Sequence, residues 1–150
     1  MRTGTAFAAL LLAAAPFAPA GCGAGSGEGL DQNGQPIVSP PTGLQPTLAS
    51  IQDNVFSVDC AVPGCHGGAG AQQGLRLDPG FSAGNLINVP SPRNANLIRV
   101  VPGDPDASFL IQKLQGADGL LGDRMPDGGP YLTTATINVI RQWIQNGALQ

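Results

Sequence analysis

The sequence predicts a small domain in which a few short helices are joined by long loops. Three observations carry that expectation. Three stretches show helical apolar spacing with capping residues at their ends. The 22 glycines and 14 prolines imply much loop and helices that are short and well punctuated. The Gly67 to Gly103 region is rich in Gly, Pro and Asn and separates the first helix from the others.

The first helix is expected over Pro46 to Asp59. Leu48, Ile51, Val55 and Phe56 fall on one stripe there, with Thr47 as a candidate N-cap. The second starts at Asp104-Pro105, because Asp at the cap and Pro at the first helical position form a start signal. Phe109, Leu110 and Leu114 give its apolar side, and Gly116 stops it. The third covers Thr133 to Asn146, with Ile137, Ile140 and Ile144 on one face, Trp143 beside them and Gly147 as the C-terminal stop. Between the first two, Leu86 to Val89 and Leu97 to Val101 are short apolar runs, each readable as a brief strand or as a loop wall.

The chain divides into three parts. Residues 1–21 read as an export signal: Arg2 is a minimal basic start, Ala6 to Ala15 is an apolar run too short to span a bilayer, and small residues follow. Ala18-Pro19-Ala20 suits ordinary signal peptidase, which would leave Gly21 first. Ala20-Gly21-Cys22 resembles the end of a bacterial lipobox, although Pro19 stands where Leu is commonest. Lipidation of Cys22 is the expectation, since Cys60 and Cys65 are used together and an odd cysteine in an exported protein needs a use. Residues 22–45 have no apolar periodicity and read as a disordered tether. Residues 46–150 form the folded domain. With charged residues at 11% and a net charge of −3, nucleic acid and other polyanions are excluded as partners.

Three short helices and so much loop make a thin core, and small domains of this kind often need a covalent or cofactor staple. A candidate stands at Cys60-Ala61-Val62-Pro63-Gly64-Cys65-His66. Covalent haem attachment takes two thiols, which add to the vinyl groups on one side of the porphyrin, and an imidazole that ligates the iron. A His directly after the second Cys meets that demand. The usual spacer is two residues; here there are four, and Pro63-Gly64 is a turn pair suited to folding the extra ones out. His66 is the only histidine, so a second imidazole ligand within one molecule is excluded. Met125, the only methionine besides Met1, lies in Arg124-Met125-Pro126 and is the candidate sixth ligand, since a thioether opposite His is the usual electron-transfer arrangement. The plainer reading of Met125 is a core gap-filler.

These pieces together resemble the cytochrome c domains of myxobacterial lipoproteins and planctomycete-type cytochromes. The matching segments are Ile51 to Gly68, Val101 to Gly116, Arg124-Met125-Pro126 with the Gly-Gly-Pro that follows, and Leu132 to Ala148. The resemblance implies an all-α, class I-like cytochrome c fold with its first and last helices packed together, and it aligns Met125 with the distal ligand. The function it implies is one-electron transfer by a monomer carrying one covalent haem c. Cys60 and Cys65 would hold the haem and His66 and Met125 the iron, with no catalytic residue and with redox proteins as partners. The site of action would be the periplasmic side of a membrane. Gly23 after Cys22 is not the Asp that marks inner-membrane retention, which points outward. Three other readings stand beside it: an open-site haem enzyme or gas sensor, a haem-free lipoprotein with a Cys60–Cys65 disulfide, and a zinc site short of one ligand.

Overall fold

The computed structural model describes residues 43–150. The segments expected as an export signal and a tether, up to residue 42, and the expected lipidation site Cys22 lie outside the described residues. The last tether positions belong to the fold: Leu44 is 6% exposed and part of the core.

Helix α1 (Leu48–Ile51) starts where the sequence places it. The Thr47 hydroxyl accepts the Ser50 amide at 3.3 Å, and the Ser50 hydroxyl accepts the Gln45 amide at 2.9 Å. It runs on directly into a π-helical segment, Gln52–Cys60, which closes with Ala61 N–H donating to the Phe56 carbonyl at 2.6 Å. Ile51, Val55 and Phe56 are buried as the apolar stripe requires. Gln52 is buried with them because its amide is satisfied, donating to the Leu77 carbonyl at 2.9 Å and accepting from the Ser82 hydroxyl at 2.5 Å.

The all-α, class I-like cytochrome c fold is corrected here, because the long middle region contains sheet. After a 3₁₀ turn (Gln72–Gly74) and the one-turn helix α2 (Ser82–Leu86), strands β1 (Pro90–Ser91) and β2 (Asn94–Ile98) pair antiparallel. Ser91 faces Asn94 and Pro90 faces Ile98, with an irregularity between the pairs. Ile87 and Val100 add a parallel bridge. The molecule is therefore mixed α/β. The buried Leu86 at the end of α2 and the buried Val100 just past β2 are joined, Val100 N–H donating to the Leu86 carbonyl at 3.0 Å, and the chain between them turns back as the hairpin.

Helix α3 (Phe109–Gln115) begins after Ser108, not at Asp104-Pro105. Those two residues start a separate turn, in which the Asp104 carboxylate accepts the Ala107 amide at 3.0 Å. The Ser108 hydroxyl, fully buried, then donates to the Asp104 carbonyl at 2.7 Å and accepts the Val101 amide at 2.9 Å. Gly116 ends α3 in the left-handed region at φ 73°. Helix α4 (Thr134–Gln145) is capped by the Thr133 hydroxyl, which accepts the Thr136 amide at 3.1 Å. It buries Ile137, Ile140, Trp143 and Ile144. It packs on α3, and its Trp143 and Ile144 join Ile51, Val55 and Phe56 in one core. No helix among the described residues is long and apolar enough to cross a membrane.

Candidate functional site

The Cys60–His66 segment is a closed loop. Cys60 ends the π-helical segment. Cys65 N–H donates to the Val62 carbonyl at 3.0 Å across a turn with Pro63 and Gly64 at its centre, and Gly64 takes φ 84°, as the third residue of a type II turn must. His66 N–H then donates to the Cys60 carbonyl at 3.0 Å. The four-residue spacer is thus folded outward, and the backbones of Cys60 and His66 meet directly. Gly67 allows the closure, since a Cβ there would run into the Ala61 carbonyl.

The segment after the 3₁₀ turn lies beside this loop. Gln72 N–H donates to the Cys65 carbonyl at 2.7 Å and Leu77 N–H to the His66 carbonyl at 2.8 Å. His66 Nδ1 lies 3.1 Å from the Leu75 carbonyl oxygen. A carbonyl only accepts, so Nδ1 carries the proton and Nε2 keeps its lone pair. Burial is the largest influence on the ring and lowers its pKa. The backbone bonds at Leu75 and Gln72 raise it, and the Arg99 and Lys113 charges lower it. The net effect favours the neutral imidazole, the form that binds a metal.

His66 faces a cleft of about 790 Å³, its open mouth included. Leu75, Leu77, Leu86, Phe109, Leu110 and Leu114 make its walls largely apolar. Cys60, His66 and Met125 all line it. Cys65 does not; its side chain is exposed at the turn next to His66. Both thiols are free. Burial first, then the neighbouring Asp59 and Cys65, push the Cys60 thiol up to about 12.

Met125 is held by the end of α3, whose last carbonyls have no partner inside the helix. Met125 N–H donates to the Lys113 carbonyl at 2.8 Å, and Arg124 Nε donates to the Leu114 carbonyl at 2.8 Å. Lys113 Nζ returns to the same loop at the Asp123 carbonyl. The Arg124 guanidinium also stacks 4.2 Å from the centre of the Tyr131 ring.

Sequence reasoning missed the cations of the cleft, Arg93, Arg99 and Lys113. Arg99 left a signal: it is a lone charge inside the apolar run Leu97 to Val101. Trp143 is 1% exposed in the core and does not line the cleft. Among the described residues no three His, Cys, Asp or Glu side chains gather as a metal-binding group. An imidazole, a thiol and a thioether thus line one largely apolar cleft. No family model matches the chain, and neither the curated proteins nor the solved structures contain a match to it.

Proposed function

We propose that this chain is an exported monohaem c-type cytochrome that passes single electrons between redox proteins. The observation that carries the reading is His66. Its Nδ1–H is fixed on the Leu75 carbonyl, and the ring faces an apolar cleft that also holds Cys60 and Met125. Imidazole ligands to metals ordinarily donate their other N–H to such a carbonyl, which sets the tautomer and the ring's orientation.

Cys60, His66 and Met125 fit the group from the cleft wall, and Cys65 stands exposed beside it. The leucine-rich lining of the cleft suits an apolar cofactor. His66 Nε2 would be the proximal ligand and the Met125 thioether the distal one. The thiols of Cys60 and Cys65 would each add across a vinyl C=C: an S–C bond forms, the thiol proton goes to the neighbouring carbon, and nothing leaves. A thiol pushed as high as that of Cys60 is protonated at neutral pH, so it neither adds unaided nor readily forms a disulfide. Bound haem supplies an iron that cycles between ferrous and ferric. The protein's part would be to exclude water with the leucine wall and to hold His66 and Met125 on backbone anchored at the Cys60 and Lys113 carbonyls.

The same proposal puts the protein on the periplasmic side of a bacterial membrane, tethered by lipid on Cys22. Carbon monoxide tests the electron-carrier reading: ferrous wild type should bind it poorly, because Met125 closes the sixth position. Avid binding favours the open-site enzyme or sensor.

A further inference from the structure

The charged side chains on the cleft wall are all of one sign. Arg93, Arg99 and Lys113 line it, while no Asp or Glu does, in a chain of net charge −3. Arg99 is the most constrained of them. It is 8% exposed and forms no ion pair among the described residues. Its own backbone is pinned between elements: Arg99 N–H donates to the Val89 carbonyl at 2.8 Å, and the Arg99 carbonyl accepts from Leu110 at 2.9 Å.

A guanidinium has five N–H donors in a rigid plane. Arg99 directs Nη1 to the Asn85 carbonyl at 2.8 Å and Nη2 to the Gln73 carbonyl at 2.7 Å. Both acceptors are neutral. They fix the plane of the fork without cancelling its charge, and Arg99 is one of the residues that line the cleft. A buried cation without a counter-charge is costly. An acid group on the cleft's occupant offsets that cost.

The other two cations extend the same wall. Arg93 Nη1 and Lys113 Nζ converge on Gly122, where a Cβ would lie 2.7 Å from the first and 3.5 Å from the second. Asp123 and Asp127 face Lys113 from the Met125 loop, but both are exposed and neither lines the cleft. Arg93 is itself exposed and Lys113 half-buried, so the two cations stand where an anion entering the cleft can meet both.

We propose that Arg99, with Arg93 and Lys113, forms a carboxylate seat, so that the cleft takes a flat apolar ligand with acid groups along one edge. The proposal rests on the haem reading and deepens it, since it assigns these residues to the propionate edge. A guanidinium whose plane is already set accepts a carboxylate with little further ordering.

The test uses the holoprotein, comparing wild type with Arg99→Gln and Arg93→Gln by resonance Raman. The propionate bending band responds to hydrogen bonds at the carboxylates. A shift in either variant with the axial-ligand spectrum intact supports the seat; an unchanged band in both overturns it. The Arg93 variant keeps the test open if Arg99→Gln fails to fold after losing its bonds to Asn85 and Gln73. If wild type carries no haem, the haem reading falls and the seat is judged separately. Quenching of Trp143, the only tryptophan, then compares protoporphyrin IX with its dimethyl ester. A preference for the diacid of about tenfold or more, lost in Arg93→Gln, upholds the seat. Equal affinity for the two overturns it.

Discussion

The backbones of Met125 and Lys113 are joined: Met125 N–H donates to the Lys113 carbonyl at 2.8 Å. That carbonyl belongs to the last turn of α3 and would otherwise have no partner. The end of a helix thereby sets where the thioether stands. The glycine that ends α3 contributes by its lack of a side chain, since a Cβ on Gly116 would lie 2.8 Å from Arg124 Cδ.

If Met125 is the distal ligand, its removal has a defined signature. Met125→Ala keeps covalent haem, loses the sulfur-to-iron charge-transfer band of the ferric form, falls in reduction potential and gains carbon monoxide binding. Optical spectra and a redox titration of the two proteins check this. An unchanged spectrum and potential would return Met125 to the role of core filler.

Trp143 is 1% exposed, and its Nε1 donates to the Leu149 carbonyl at 2.9 Å. The indole is buried in the same core as Ile51, Val55 and Phe56, and its bond ties down the C-terminus. Trp143→Ala should cost about 3–5 kcal/mol of stability, read by denaturant unfolding at constant m-value. Near-native stability would show that the site collapses without penalty.

Asp78 links the loop after His66 to the segment beside it. Its carboxylate accepts the Gly68 amide at 2.8 Å and Arg76 Nε at 2.6 Å. The Arg76 bond first, then the Gly68 bond, hold its pKa below the ordinary value. A carboxylate depressed in the folded state stabilises above its unfolded pKa, and that contribution is lost as pH falls through the folded one. Asp78→Asn should therefore be less stable than wild type at neutral pH, with the gap closing below about pH 4. A gap that is the same at pH 7 and in acid would mean that charge plays no part.

The lipid anchor has its own test. Cys22→Ala should turn a membrane-bound protein into a soluble exported one while the haem spectrum stays the same. A wild type that is already soluble and begins at Gly21 would rule the anchor out.

Much of the helical framework was legible because its signals are local. Thr47 and Thr133 cap the helices they precede, and Gly116 and Gly147 take the positive φ their positions demand. The Pro63-Gly64 turn closes the Cys60–His66 loop as the pair suggests. The hairpin was not legible: Pro90, Asn94 and Asn96 are poor strand residues, and their pairing goes with a contact far along the chain, Val100 N–H on the Leu86 carbonyl. Asp104-Pro105 marked a real start, but the buried Ser108 ends that turn and α3 begins only after it. In the site, Cys60, His66 and Met125 reach one cleft as their types suggest, whereas Cys65 stays exposed beside it. Arg99 and the Leu75 carbonyl depend on partners far along the chain, and no local pattern encodes them.

The most direct test of covalent haem is a peroxidase-activity stain for haem on a denaturing gel. It compares wild type with Cys60→Ser and Cys65→Ser, each produced with the attachment machinery present. The account predicts a stained wild-type band, weaker staining in each serine variant, and poorly stable protein wherever haem is missing, because the leucine-lined cleft has nothing to close on. A wild type that folds stably and shows no stain would contradict it.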